Sequence, residues 1–131
     1  MSEIYAPSVR YSLFAGESLP EDDAIMWSRS IPNARIDNLY GPTETTIYCT
    51  RYTFKRDKKN KEANGVLCIG KPYNNTYQII IDENQEEVPA GTQGELCFAG
   101  SQLTPGYWNN PKKNNESFFI KNGMRFYRTG D

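Results

Sequence analysis

The 131-residue sequence contains no histidine. This absence excludes Ser-His-Asp and Cys-His nucleophilic sites, and it excludes zinc sites with histidine ligands. Cysteine is scarce as well, because Cys49, Cys68 and Cys97 are an odd number without the spacing of a zinc site, and each lies in an apolar stretch. We therefore expect three buried free thiols in a reducing, cytoplasmic environment.

The sequence also lacks a charge excess and a long apolar run. Fifteen Lys and Arg residues face sixteen Asp and Glu residues, which gives a net charge of −1. Nucleic-acid binders and polybasic membrane binders depend on clustered positive charge, so the balance argues against both classes. No apolar run approaches the roughly 20 residues that span a bilayer. The charged residues 55–64 are interrupted by acids, which favours a solvated, disordered loop over a nucleic-acid patch.

The first part of the sequence predicts a βαβ unit. Residues 11–14 are a short apolar run, typical of a buried strand, and residues 34–39 predict a second strand. Pro20, followed by three acidic residues, marks the start of a helix between them. Ala24, Trp27 and Ile31 share one face of that helix. A strand, a helix and a strand with short connections normally form a right-handed parallel unit.

The rest of the sequence predicts β-structure. Residues 46–54 are β-branched and aromatic, so we expect one long strand there. Short antiparallel strands are expected at 66–69, 77–81 and 95–99. Asn122 and Gly123 lie between two aromatic segments, which is a strong hairpin signal.

The residues most suggestive of chemistry follow the second predicted strand, in the segment NLYGPTETT at positions 38–46. Ligands of open α/β sheets bind at the carboxyl ends of strands. There, Tyr40 could stack on a flat ring, Thr43 could donate to a phosphate oxygen, and Glu44 could hold a Mg²⁺ ion. On spacing alone, an ordinary turn with solvent-facing polar residues explains the segment better than a binding site does.

A family resemblance favours the first interpretation. The pattern N-x-Y-G-P-T-E at 38–44 resembles the signature of the adenylate-forming superfamily, and Y-G-P-T-E resembles its amino-acid-activating branch. Residues 94–100 with 105–108 are similar to its G-E-L-x-x-x-G…G-Y-L motif, with Trp108 in place of Leu. Residues 127–131 match Y-R-T-G-D, and shorter matches lie at 15–17 and 69–72. The nearest likenesses are nonribosomal-peptide-synthetase adenylation domains and D-alanine–carrier-protein ligases.

The resemblance implies a role for each matching residue. Tyr40 would stack on adenine, with Gly16, Glu17, Asn38 and Gly41 beside it in the nucleotide site. The catalytic residues would be Thr43, on the α-phosphate, and Glu44, as the Mg²⁺ ligand, while Asp131 would accept both ribose hydroxyls. A small apolar amino-acid pocket would be lined by Leu13, Ala15, Leu39 and Ile47. On residue type alone, Leu13 and Ile47 are expected in a core, and Tyr107 and Trp108 are expected to pack.

The resemblance also implies a fold and an activity. Residues 1–64 would be a partial α/β nucleotide-binding subdomain, and residues 65–131 a small, β-rich, distorted barrel-like subdomain. The parent enzyme would use ATP and Mg²⁺ to form an aminoacyl-AMP, and would then transfer the acyl group to a phosphopantetheinyl carrier protein. Nothing in the chain resembles the family's phosphate loop or its catalytic lysine, so we expect a fragment that is inactive alone.

Two functional alternatives stay open. The chain could be a noncatalytic truncated module that binds nucleotide or a carrier protein, or a piece of an acyl-CoA ligase, which Pro42 disfavours. A βαβ unit taken from a larger sheet exposes strand edges and an apolar face, so we expect self-association or a less ordered first part.

Overall fold

The structure, a computed structural model, describes residues 4–131 and falls into two compact units. The first unit comprises the residues up to Tyr40 together with Thr50–Lys71, and the second comprises Gly41–Cys49 with Pro72–Asp131. The chain therefore leaves the first unit after Tyr40, contributes one turn to the second, and returns at Thr50.

The first unit contains the predicted strand, helix and strand. Strand β1 (Tyr11–Phe14) pairs in parallel with β2 (Arg35–Tyr40), and helix α1 (Glu21–Ser30) connects them. The acidic residues 21–23 occupy the first turn of α1, where the helix dipole favours negative charge. Strand β3 (Thr50–Thr53) pairs antiparallel with the other edge of β2, with Thr50 opposite Tyr40.

The core of the first unit lies around α1 and the sheet. Its buried members are Leu19, Ala24, Ile31, Ala34, Ile36, Tyr52, Phe54 and Leu67. Trp27, from the predicted apolar face of the helix, packs against this core, and its indole nitrogen donates to Ser12. The amphipathic pattern of the sequence thus identified the buried face of the helix correctly.

The charged residues 55–64 are mostly exposed, as predicted, but they are hydrogen-bonded in place. Asn60 is buried, and its side-chain oxygen accepts from the Tyr52 hydroxyl at 3.0 Å and from the Lys55 amide at 2.8 Å. Arg56 donates to the carbonyls of Ser28, Ile31 and Ala34. Strands β4 (Glu62–Ala63) and β5 (Val66–Leu67) then form a short hairpin, and β6 (Lys71–Pro72) follows. The expectation of disorder in this loop was wrong.

The prediction of one long strand at 46–54 was also wrong. Only Thr50–Thr53 is a strand, and Thr43–Thr45 is a 3₁₀ turn. Thr46 and Ile47 then have positive φ values of 57° and 77°, which an extended strand does not allow. The strand preference of β-branched residues depends strongly on their surroundings. At Thr46 and Ile47, tertiary hydrogen bonds override that preference and determine the backbone.

The second unit is built on a four-stranded antiparallel sheet. Its strands are β7 (Thr76–Ile81), β8 (Glu95–Gly100), β9 (Phe118–Lys121) and β10 (Met124–Arg128), in the order β7-β8-β10-β9. The predicted hairpin joins β9 to β10, with Asn122 and Gly123 both at positive φ. Helix α2 (Pro111–Ser117) precedes β9 and was not predicted, because it has no apolar periodicity.

The cysteines are all free in the structure. Cys49 and Cys97 are fully buried, as predicted, and Cys68 is partly buried. Burial raises the pKa of the Cys49 thiol. Burial and the nearby Glu95 charge raise the pKa of Cys97 to about 12. Both buried thiols are therefore protonated at neutral pH.

The fold is thus mixed α/β, with one parallel strand pair and antiparallel sheets, as the sequence predicted in outline. The assignment of 1–64 and 65–131 to subdomains of a larger enzyme stays a prediction. Within residues 4–131, no helix is long and apolar enough to cross a membrane.

Candidate functional site

The segment after β2 forms a tight turn that presents Thr43 and Glu44. The Pro42 carbonyl accepts hydrogen bonds from the amides of Thr45 and Ile47, at 3.1 and 3.2 Å, and from the Thr45 hydroxyl at 2.9 Å. A Cβ atom at Gly41 would lie under 3.0 Å from the backbone of residues 47–49, so the turn can close only with glycine there. The glycine of the Y-G-P-T-E motif is therefore required by the fold.

Residues that follow β8, in the same unit, hold this turn by hydrogen bonds. The Gln102 amide nitrogen donates to the carbonyls of Thr45 and Tyr48, at 2.5 and 2.9 Å, and its amide oxygen accepts from Thr76. The Thr46 hydroxyl donates to the Gln102 carbonyl at 2.7 Å. One glutamine side chain thus satisfies two backbone carbonyls of the turn at once.

These bonds compensate for an unfavourable backbone. Positive φ is uncommon for residues other than glycine and is a real outlier for β-branched ones. Such conformations cost of order 1–3 kcal/mol each and persist where the surroundings fix them. At Thr46 and Ile47 the surroundings that do so include Gln102.

Glu44 is held by hydrogen bonds both at its backbone and at its side chain. The Thr104 amide donates to the Glu44 carbonyl at 2.8 Å, and the Tyr107 hydroxyl donates to Oε1 of Glu44 at 2.5 Å. Partial burial raises the pKa of the Glu44 carboxyl, but the hydrogen bonds that the carboxylate accepts, that of Tyr107 foremost, outweigh burial and leave the pKa below its usual value. Burial, Tyr107 and the Glu44 charge raise the pKa of Tyr127. Glu44 is therefore a stable anion close to the neutral phenol of Tyr127.

The donor set around Glu44 suits one kind of metal ion. Among residues 4–131, no group of three or more His, Cys, Asp or Glu side chains could hold a metal by itself. Mg²⁺ keeps several waters and is commonly held by one or two carboxylates together with substrate phosphates. A single half-buried carboxylate such as Glu44 fits this ion and does not fit a fully protein-ligated metal.

The other predicted residues of the second unit are exposed. Thr43 lies on the surface of the turn, and Ile47 is 55% exposed, so the expectation of a core position for Ile47 was wrong. Asp131 is exposed, and its carbonyl accepts from the Leu96 amide at 2.9 Å, which ties the residue to β8. Trp108 is 97% exposed, so the expectation that it packs was also wrong.

In the first unit, the parallel pairing brings two predicted segments to the same sheet edge. Phe14 lies opposite Asn38, so β1 and β2 end on the same side of the sheet, with β2 two residues longer. Ala15, Gly16 and Glu17, all exposed, follow the first of these ends, and the half-buried Tyr40 closes the second. This edge is where ligands of open α/β sheets bind.

Of three further candidate residues on β1 and β2, one is exposed and two are buried. Leu13 is 59% exposed, against the expectation of a core position, whereas Leu39 is buried. Asn38 is buried too, and its amide nitrogen donates to the carbonyls of Cys68 and Leu67, at 3.2 and 3.4 Å. Asn38 therefore fixes the backbone of a neighbouring segment.

Sequence reasoning missed Gln102, and it treated Tyr107 as a packing residue. Gln102 stands between two recognisable motifs, and no property of a lone glutamine distinguishes it. Tyr107 belongs to the G-Y motif, but its partner Glu44 is 63 positions away. The spatial pairing of those two motifs was the missing signal.

Comparison with known proteins gives a consistent result. The family described as AMP-binding enzyme matches residues 2–108. A linear gramicidin synthase of Brevibacillus parabrevis is 39% identical over 126 residues, which are 94% of this chain and 2% of that protein. A D-alanine–D-alanyl carrier protein ligase of Lactiplantibacillus plantarum is 38% identical over 125 residues, which are 95% of this chain and 24% of the ligase.

Solved structures agree with these relatives. The Vibrio cholerae adenylation domain AlmE, in complex with glycyl-adenosine-5'-phosphate, has a TM-score of 0.83 at 35% identity, and the match covers 95% of this chain and 24% of that one. IdnL7 has a TM-score of 0.86 at 36% identity and similar coverage. The chain spans about a quarter, or less, of the length of these proteins. It belongs to the AMP-binding enzyme family and is homologous to adenylation domains and D-alanine–carrier-protein ligases.

Proposed function

We propose that this chain is part of an enzyme that activates an amino acid as an aminoacyl-adenylate. The amino-acid carboxylate attacks the α-phosphate of ATP, a carboxyl–phosphate bond forms, and pyrophosphate leaves. The thiol of a phosphopantetheinyl carrier protein then attacks the acyl carbon, a thioester forms, and AMP leaves. The free cysteines suit the reducing cytoplasm in which we place this enzyme.

Two relatives support the reaction class. AlmE was solved with glycyl-adenosine-5'-phosphate, an aminoacyl-adenylate, and the D-alanine ligase is named for a carrier protein. Each is more than a third identical to this chain across 95% of its length. Because the chain covers only 24% of either protein, the complete reaction is proposed for an enzyme of their size.

The nucleotide would lie along the edge where β1 and β2 end. Tyr40 would stack on adenine, and Gly16, Glu17 and Gly41 would line the nucleotide. Asn38 would shape the adenine edge, since its amide already holds the carbonyls of residues 67 and 68. Asp131 would accept both ribose hydroxyls, a task that suits two carboxylate oxygens.

Thr43 and Glu44 would act at the reacting phosphate. The exposed Thr43 hydroxyl would donate to an α-phosphate oxygen, and the Glu44 carboxylate would hold Mg²⁺. When bound, the ion would neutralise phosphate charge that builds up in the transition state. Glu44 is fixed for this role at its carbonyl and at its carboxylate.

The amino-acid side chain would meet an apolar surface. Leu13 and Ile47 are exposed large apolar residues, as expected where a protein of this family would bury a substrate. Ala15, with a small exposed side chain after β1, and the buried Leu39 are the other two residues that we assign to the amino-acid site. This set favours a small apolar amino acid.

The observation that carries the proposal is the glycine-dependent turn that presents Thr43 and Glu44 directly after a strand of the α/β sheet. Amino-acid-dependent ATP–pyrophosphate exchange tests it. We expect no exchange above background from the 131-residue chain, because nothing in it resembles the family's cationic phosphate loop or the catalytic lysine that would stabilise the transition state. We expect exchange from a chimera in which this chain replaces the matching quarter of the Lactiplantibacillus ligase.

Matched variants of the chimera make the test specific. Glu44→Gln should reduce exchange roughly 100-fold or more, since a bound metal ion contributes several kcal/mol of charge stabilisation. Glu83→Gln, in an exposed turn of the same unit, should leave exchange unchanged. A folded chimera that binds ATP but gives no exchange with any amino acid would favour a noncatalytic nucleotide-binding module. Full exchange by the Glu44→Gln chimera would remove Glu44 from the mechanism.

A further inference from the structure

We propose that Tyr107 is a positioning residue for the adenylation reaction, because its hydroxyl fixes the orientation in which the Glu44 carboxylate meets the metal and the phosphate. The inference rests on the proposed function and adds a residue to its machinery. Its basis is a set of contacts that lie entirely within the second unit.

The backbone of Tyr107 is fixed by one side chain. The Tyr107 amide donates to the Asn114 side-chain oxygen at 2.7 Å, and the Asn114 amide nitrogen donates back to the Tyr107 carbonyl at 3.0 Å. Gly106 allows this approach, since a Cβ atom there would lie 2.6 Å from the Asn114 oxygen. Asn114 lies in helix α2, so this helix fixes the position of the Tyr107 backbone.

The ring of Tyr107 is fixed as well. It lies 6.1 Å, centre to centre, from the buried ring of Phe118, which in turn packs against Tyr127. The Arg125 guanidinium lies 3.9 Å from the centre of the Phe118 ring and donates to the carbonyls of Thr104 and Pro105. With backbone and ring both held, the hydroxyl has little freedom.

The Tyr107 hydroxyl donates a hydrogen bond to the Glu44 carboxylate, and the Thr104 amide already holds the backbone carbonyl of Glu44. A phenol is a neutral donor, so it orients the carboxylate without cancelling the negative charge that a cation needs. Groups that hydrogen-bond to a metal-ligating carboxylate commonly change metal affinity or activity roughly 10- to 100-fold when they are removed. The geometry gives Tyr107 this role toward Glu44.

The test uses the full natural protein that contains this chain and measures ATP binding by calorimetry, once with saturating Mg²⁺ and once with EDTA. For Tyr107→Phe, which keeps the ring and removes only the hydroxyl, we expect the Kd of ATP to rise roughly 10-fold with Mg²⁺ and less than about 2-fold in EDTA. The Mg²⁺ concentration that half-saturates ATP–pyrophosphate exchange should rise by a similar factor, while kcat at saturating Mg²⁺ recovers.

Three comparison variants define the outcomes. Tyr77→Phe, at an exposed position of β7, should change neither Kd. Glu44→Gln should weaken binding only in Mg²⁺, and adding Tyr107→Phe to Glu44→Gln should cause no further loss, because the hydroxyl acts through that carboxylate.

Failure of the inference is distinguishable from failure of the proposed function. If Tyr107→Phe weakens binding equally with and without Mg²⁺, or in neither condition, while Glu44→Gln acts only with Mg²⁺, Tyr107 is a packing residue and the proposed function stands. If Glu44→Gln leaves Mg²⁺-dependent binding intact, the metal role of Glu44 is wrong and the inference about Tyr107 is wrong with it.

Discussion

The two units of this chain differ in the size of their apolar clusters and in what holds their main structural features. The first has an apolar core of eight buried residues between a helix and a sheet. In the second, the sheet has a smaller buried cluster of Ile81, Cys97, Ala99 and Phe126, and polar side chains hold the turn that bears Thr43 and Glu44. Apolar contacts are non-directional, whereas hydrogen bonds weaken steeply when their angles change.

This difference has a functional meaning. A core tolerates substitutions that conserve volume, so the first unit can vary and still support its sheet edge. The turn depends on the geometry of individual donors and acceptors, and Gln102, Thr104 and Tyr107 supply them. The candidate chemical groups thus lie on a turn whose backbone depends on specific hydrogen bonds.

The largest expected effect is in the apolar unit. Ile36 in β2 is 1% exposed, and Ile36→Ala should lower the free energy of unfolding by about 2–5 kcal/mol through lost burial and the cavity left behind. Urea denaturation followed by circular dichroism measures the change. Leu13→Ala, at an exposed position of the same sheet, is the control and should stay within about 0.5 kcal/mol of the parent chain. A similar loss for both variants would contradict the assignment of the core.

An intermediate effect is expected for Gln102, whose side chain bonds the turn that bears Thr43 and Glu44. Gln102→Ala leaves the carbonyls of Thr45 and Tyr48 without this donor. One of these bonds is partly buried and the other is exposed, so we expect a loss of about 0.5–1.5 kcal/mol for each. Amide hydrogen exchange of residues 45–47 should accelerate more than exchange in β7. Gln78→Ala, exposed on β7, is the matched control. Unchanged exchange at the turn would show that Gln102 does not hold it.

The smallest expected effect concerns the buried thiol of the second unit. The folded state holds the pKa of Cys97 at about 12, against 9.0 for the unperturbed thiol, because of burial and the Glu95 charge. Above pH 9 the unfolded chain loses this proton while the folded chain keeps it, so stability falls as pH rises. The stability advantage of the parent chain over Cys97→Ala should therefore shrink by about 1 kcal/mol between roughly pH 8 and pH 10.

Paired unfolding curves at the two pH values measure this change. Cys68→Ala, at a partly buried cysteine of the first unit, serves as the comparison. An advantage over Cys97→Ala that is the same at both pH values would show that the thiol of Cys97 ionises as readily in the folded chain as in the unfolded one.

Local signals predicted helix α1 of the first unit and the β9–β10 hairpin of the second unit well. Pro20 and the acids after it marked the start of α1, and the spacing of Ala24, Trp27 and Ile31 identified its buried side. The Asn122-Gly123 hairpin was recognisable because both residues accept positive φ. Each of these features depends on residues a few positions apart.

The turn at 43–49 could not be predicted in the same way. Its residues are β-branched and aromatic, and their own preference is a strand. The groups that override this preference, at Gln102, Thr104 and Tyr107, are distant in sequence. The motif identified Thr43 and Glu44 as candidates, but the exposure of Leu13, Ile47 and Trp108 required the three-dimensional structure.

The bonds from Gln102 to Thr45 and from Tyr107 to Glu44 join residues 57 and 63 positions apart. Contacts of such sequence separation form late, because the intervening loop must close before they contribute. During synthesis, Thr43 and Glu44 leave the ribosome well before their partners do. The candidate site would thus acquire its geometry only after β8 and the segment that follows it have been made, so a half-made chain could not yet hold Glu44 in its final orientation.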